Sequence, residues 1–155
     1  MLKVAKFGGT SMANAVQFKK VHDIIVSDEE RKFIVVSAPG KSYNEDNKIT
    51  DLLYLTYAHI KYSVPYAQVF KIIEDRFNSI KEKLNLNIDL DHEFEIIKKN
   101  LDNKCDEDYI ASRGEYLTAM LMADYLQCDF IDAENVVMFN YNGTIDSKRT
   151  DEKLK

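Results

Sequence analysis

Three short stretches of the chain carry residues whose types and spacing could do chemistry. In KFGGTS, residues 6–11, Lys6 ends an apolar run, Gly8 and Gly9 follow at once, and the hydroxyls of Thr10 and Ser11 stand behind them. Glycine lets a backbone approach a ligand closely, and the N–H groups that open a following helix favour an anion. An ammonium in the same space would stabilise charge on a transferring phosphoryl group. The spacing is neither GxxxxGK[ST] nor GxGxxG, and taken alone a structural turn is the plainer account. In SAPGKSYNEDNKITD, residues 37–51, Ser37, Gly40, Lys41 and Thr50 lie on a loop after a second strand. Ligands bind at that edge in open α/β sheets, although a surface turn leading to a helix capped by Thr50 uses the same residues. In SRGEYLTAML, residues 112–121, the Gly114–Glu115 pair interrupts an apolar helical run. Glycine costs about 1 kcal/mol in a helix interior, so Gly114 marks a close approach or a distorted helix start. Glu115 is then either a carboxylate at a pocket edge or an exposed acid beside Arg113.

The elements that must hold these residues can be read from periodicity. Residues 2–7 form a short strand closed by Gly-Gly, and a helix follows from Ser11 or Asn14 to Ser27, with Phe18, Val21, Ile24 and Ile25 at helical spacing. A second strand, 32–36, ends at Pro39-Gly40, so strand, helix and strand fit within about 35 residues, the length of a βαβ unit with a parallel sheet. The next helix is expected over 50–62, with Thr50 or Asp51 as its cap. Tyr66, Val69, Phe70, Ile73, Phe77, Ile80 and Leu84 make one helical stripe from Pro65 onward, and Leu90, Phe94, Ile97 and Leu101 make another. Residues 63–105 thus read as a helical excursion beside the sheet, not as a separate domain. A further helix spans 107–127 with Ile110, Leu117, Leu121 and Tyr125 inward. CDFID, 128–132, reads as a third strand, and 135–139 as a turn plus a fourth. YNGTIDSKRT reads as a loop or hairpin and TDEKLK as a first helical turn. The resulting class is α/β, a mainly parallel sheet with helices on both faces, incomplete at its C-terminus.

Composition narrows the partners. With 155 residues, 45% hydrophobic and 30% charged, the chain suits one domain with its own core. A net charge of −5 speaks against a nucleic-acid footprint. No apolar stretch approaches the ~20 residues that span a bilayer, and the N-terminus enters a strand with no leader pattern. Cys105 and Cys128 are far apart and His22, His59 and His92 fall on separate helices, so free thiols in a reducing cytoplasm and no metal site are expected.

Taken together and in this order, KFGGTS, VVSAPGK…ITDLL and SRGEYLTAMLMADYL followed by DFIDA resemble the aspartate kinases of the amino-acid kinase family, over essentially the whole chain. The resemblance implies a carbamate kinase-like fold and MgATP-dependent phosphorylation of the β-carboxylate of L-aspartate, the entry step towards lysine, threonine, methionine and diaminopimelate. Carried over by motif, Lys6 is implied as the lysine that contacts the ATP phosphates and stabilises the transferring group. Gly8 and Gly9 are implied as the phosphate-side glycines, with Thr10 and Ser11 completing the loop. Ser37 and Thr50 are implied near or on bound aspartate, and Glu115 as the acid receiving its α-amino group. The implied partners are L-aspartate, ATP with its Mg2+, and further copies of the protein in a homo-oligomer. The family's later glycine-rich segment, its adenine-binding segment and its ACT regulatory domains have no counterpart in these residues, and the 155-residue chain alone is expected to be inactive. The alternatives are a non-catalytic aspartate-binding or subunit-interaction fragment, or a kinase of the same fold acting on another small acid.

Overall fold

A computed structural model describes residues 1–155. Strand β1 (Lys3–Phe7) runs parallel to strand β2 (Arg31–Val36), with Val4 opposite Phe33, Lys6 opposite Val35 and Phe7 opposite Val36. They are joined by a short 3-10 turn, Gly9–Met12, and helix α1 (Ala15–Val26), which completes the βαβ unit. Asn14 caps α1, its Oδ1 accepting the Gln17 N–H at 3.1 Å, which satisfies one of the amides that the first helical turn leaves free. Ala15, Phe18, Val21 and Ile25 form the buried stripe of α1.

Because side chains alternate across a strand, the two strands have unlike faces. Phe7, Ile34 and Val36 pack on or into the core, while Val4, Phe33 and Val35 stay exposed. The core lies on the helical side. Helix α2 (Ile49–Lys61) and helix α5 (Glu107–Leu126) pack together, and α5 also touches β2, α1, helix α3 (Ala67–Leu84) and helix α4 (Leu90–Asp102). Helix α3 buries Phe70, Ile73, Phe77, Ile80 and Leu84, and α4 buries Leu90, Phe94, Ile97 and Leu101, as their spacing predicts. The rings of Phe70 and Phe94 meet edge to face at 6.2 Å. Helix α3 packs chiefly on α1, α2 and α5, so the middle of the chain thickens the helical layer instead of flanking the sheet.

Three local expectations are corrected. Residues 128–132 are not a third strand: the sheet holds only β1 and β2, and Phe130 and Ile131 instead line, with Ile34 and Val36, an apolar hollow of about 110 Å³. Nor do 135–139 contain a fourth strand. Asp132 caps a single turn, α6 (Ala133–Val136), by accepting the Glu134 N–H, and Phe139 makes only an isolated antiparallel bridge to Ile145. That bridge closes a small hairpin around Gly143, whose φ of +80° suits glycine, and helix α7 (Ser147–Lys153) follows. The third correction concerns Thr50. Helix α2 begins at Ile49 with Lys48 in the cap position, so Thr50 sits inside the first turn and does not cap it. No helix is long and apolar enough to cross a membrane.

Candidate functional site

The sequence-derived residues converge at the carboxyl ends of β1 and β2, where the parallel strands release two loops side by side. The join between the loops is backbone on backbone. Ser37 N–H donates to the Phe7 carbonyl at 3.1 Å, and Gly40 N–H donates to the Gly9 carbonyl at 2.8 Å. A Cβ on Gly40 would lie 2.8 Å from the Gly9 carbonyl carbon, and one on Gly9 would lie 2.9 Å from the Ala38 oxygen. These two positions therefore require glycine for close approach, not for an unusual dihedral angle.

Gly8 differs from both. A Cβ there would meet nothing within 4 Å, so its small size leaves open space on the outer side of the turn. Lys6 precedes it by two residues and is exposed. Thr10 and Ser11 lie in the 3-10 turn, with Ser11 N–H donating to the Gly8 carbonyl at 2.9 Å. An exposed ammonium beside a turn whose outer surface a side chain would fill is a donor set that fits a polyphosphate.

The third stretch reaches the same corner from above. Helix α5 is held against the second loop because Gly114 has no side chain: a Cβ would fall 2.6 Å from Ala38 Cβ and 3.1 Å from Leu53 Cδ1. The alternative of a distorted helix start at Gly114 is excluded, since α5 begins seven residues earlier at Glu107. One residue on, Glu115 Oε1 accepts the Ala38 N–H at 3.1 Å. This contact pins a half-buried carboxylate to the end of β2, where its remaining oxygen can meet a ligand cation. Thr50 joins the group through its neighbour, as Ile49 N–H donates to the Pro39 carbonyl at 3.0 Å.

The exposed acid beside Arg113 that the sequence allowed is not what the fold makes of Glu115, which is half-buried, and Arg113 turns to other partners. It is buried, with its guanidinium carbon 4.5 Å from the ring centre of Tyr109 and 4.4 Å from that of Tyr116, and its Nε and Nη2 donate to Ser112 Oγ. Tyr116 donates its hydroxyl to Glu93 Oε2 at 3.1 Å, and burial together with that carboxylate pushes its pKa up to about 12.

Two charged residues escaped the sequence reading. Arg76 on α3 and Asp46 in the second loop form an ion pair, with side-chain exposures of only 14% and 7%. The signal for Arg76 was its position three residues after Ile73 and four before Ile80, on the edge of the apolar stripe. Asp46 carried no such signal, because an acid within KSYNEDNK looks like solvated loop.

A model of the amino acid kinase family matches residues 1–154, and the chain belongs to that family. Among curated relatives it is similar to aspartokinase 3 of Bacillus subtilis (strain 168), 34% identical over 143 residues that make up 87% of this chain and 31% of the relative. Among solved structures it is similar to aspartate kinase of Clostridium acetobutylicum, 49% identical with a TM-score of 0.95, over 99% of this chain and 35% of that one. A third likeness, to E. coli aspartokinase III in complex with aspartate and ADP, is 22% identical with a TM-score of 0.72 over 98% of this chain and 36% of that one, and bears on the fold. The chain thus spans about a third of the length of these relatives.

Proposed function

We propose that these residues are the N-terminal part of the catalytic domain of an aspartate kinase, and that the whole protein transfers the γ-phosphoryl group of ATP to the β-carboxylate of L-aspartate. In this reading residues 63–105 are a helical excursion within that domain. The observation that carries it is Glu115, fixed by the Ala38 N–H at 3.1 Å beside the joined Gly9 and Gly40 loops. The reading is supported by the 49% identity to an aspartate kinase across nearly all of the chain.

The substrate carboxylate is ionised at neutral pH and needs no general base. One of its oxygens forms a bond to the γ-phosphorus as the bond from that phosphorus to the bridging oxygen breaks, giving 4-phospho-L-aspartate and ADP. The chain's own contribution is placement and charge. Lys6 neutralises charge on the transferring group. Gly8 and Gly9, with Thr10 and Ser11, line the phosphate side. Ser37 and Thr50 contact aspartate, and Glu115 receives its α-ammonium as a charge-assisted pair. Mg2+ arrives with the nucleotide and helps neutralise the phosphates. The free thiols of Cys105 and Cys128 accord with a cytoplasmic protein, and the whole protein is read as a homo-oligomer.

The test is ADP release by the whole gene product. Release that requires both MgATP and L-aspartate is expected, with little response to glutamate, acetylglutamate or carbamate. Turnover with one of those acids in place of aspartate would overturn the substrate assignment, and aspartate binding without ADP release would favour a non-catalytic protein.

A further inference from the structure

Arg76 belongs to a helix that contributes nothing else to the candidate site, yet its guanidinium reaches both site loops. Nη1 donates to the Gly40 carbonyl at 3.1 Å and to the Ala13 carbonyl at 3.4 Å, while Nη2 pairs with Asp46 Oδ1. The Asp46 carboxylate is also engaged by backbone, accepting the N–H of Ser42 at 2.8 Å and that of Asn47 at 2.8 Å. Ser42 closes the circuit by donating its hydroxyl to the Ala13 carbonyl at 3.0 Å. One planar fork therefore ties the segment behind the Gly8–Gly9 turn to both ends of the 40–46 loop.

Removing a guanidinium and a carboxylate from water is costly, and only good geometry with nearly complete hydrogen bonding offsets it. Here each partner is held by several bonds. Such a cluster adds little to a core that already contains Phe70, Ile73, Phe77 and Ile80 on the same helix. What it does determine is the setting of Gly40, whose N–H holds the Gly9 carbonyl at 2.8 Å. We propose that Arg76, acting through Asp46 and the Gly40 carbonyl, is a positioning residue that fixes the phosphate-side turn at Gly8–Gly9 against the 40–46 loop. Its kinetic consequence rests on the aspartate-kinase reading. Glu115 is anchored independently, by α5 and the Ala38 N–H, so its hold on the α-ammonium of aspartate is spared.

The experiment compares Arg76→Met, Arg76→Lys and Asp46→Asn with wild type in the whole protein, each shown to be folded by urea unfolding. The expected result for Arg76→Met is a rise in the KM for MgATP of about tenfold, with the KM for aspartate within about twofold of wild type. Arg76→Lys should fall between, since one ammonium replaces part of the fork. An unchanged MgATP KM in folded Arg76→Met, or equal rises for both substrates, overturns the proposal. If Arg76→Met does not fold, Asp46→Asn is scored by the same criteria. If wild type itself shows no aspartate-dependent ADP release, the aspartate-kinase reading fails, and the positioning role is scored by MgADP affinity: about tenfold weaker binding in the variants upholds it, and unchanged binding overturns it.

Discussion

Glu115 Oε1 accepts the backbone N–H of Ala38 at 3.1 Å, a bond spanning 77 residues of sequence. It gives the carboxylate two separable jobs, satisfying a backbone donor and presenting negative charge. Glu115→Gln keeps an oxygen for Ala38 and removes the charge, so the unfolding free energy should stay within about 0.5 kcal/mol of wild type while the KM for aspartate rises at least about tenfold. Glu115→Ala abandons both jobs and should cost about 1–3 kcal/mol in addition, for the N–H left without a partner. Urea unfolding and aspartate-dependent ADP release on the same preparations separate the two. An equal loss of stability in both variants would contradict this division.

The glycines divide by what surrounds them. Gly114→Ala places a methyl 2.6 Å from Ala38 Cβ, and Gly40→Ala places one 2.8 Å from the Gly9 backbone. Both should lower stability by about 1–3 kcal/mol, as overpacking does, and Gly40→Ala is the harder to relieve because backbone is what it strikes. Gly8→Ala meets nothing within 4 Å, so it should unfold like wild type and yet bind MgATP less well. Denaturation midpoints together with nucleotide affinity test the contrast, and a Gly8→Ala protein with normal affinity would remove Gly8 from the phosphate side.

Lys6 should behave as a functional residue without a structural one. It is exposed, on the open face of β1 opposite Val35. Lys6→Ala is expected to change stability by no more than about 0.5 kcal/mol and to lower kcat by about a hundredfold or more. Single-turnover measurements at saturating MgATP are the check, and turnover near the wild-type rate would end its assignment to the transferring phosphoryl group.

The difference between Lys6 and Arg76 shows what a sequence can disclose. Lys6, Gly8, Gly9, Gly114 and Glu115 stand out in the sequence because each departs from its local pattern: glycines where a strand stops or inside a helix, charges where apolar residues are due, whereas Ser37 and Thr50 stand out only through the loop and motif that contain them. The helices were legible for the same reason, since Phe70 to Leu84 and Leu90 to Leu101 repeat at helical spacing and bury as a stripe. Residues 128–132 misled because CDFID has strand composition, whereas a strand also needs a partner at ladder distance, and that distance is a tertiary property. Arg76 and Asp46 are 30 residues apart. Nothing local to either residue encodes their meeting, which depends on how α3 lies across the loop.

Their ion pair also sets a dependence on pH. Burial works to raise the Asp46 carboxyl, but the N–H groups of Ser42 and Asn47 and the Arg76 guanidinium outweigh it and hold its pKa below the ordinary aspartate value. A carboxyl with a depressed folded-state pKa stabilises the fold above its unfolded value and loses that contribution as pH falls through the folded one. Wild type should therefore exceed Asp46→Asn in stability at pH 7, with the gap closing below about pH 4. Urea midpoints from pH 7 to pH 3 measure it, and a gap that widens in acid would show that the sign is wrong.

Arg113 supplies the last test, because its surroundings favour a planar cation over a compact one. Its guanidinium lies 4.5 and 4.4 Å from the ring centres of Tyr109 and Tyr116, and Nη2 stands 3.7 Å from Glu134 Oε2. Tyr109 and Tyr116 belong to α5 and Glu134 to α6, so the residue connects the helix bearing Glu115 to the segment after it. Lysine keeps the charge but cannot stack between two rings or hold Ser112 Oγ with two nitrogens. Arg113→Lys should cost about 1–2 kcal/mol and increase amide exchange across 133–136, while Glu134→Gln, which loosens only the exposed end of the contact, should cost less than about 0.5 kcal/mol. If Arg113→Lys unfolds like wild type, the stacked geometry contributes nothing beyond its charge.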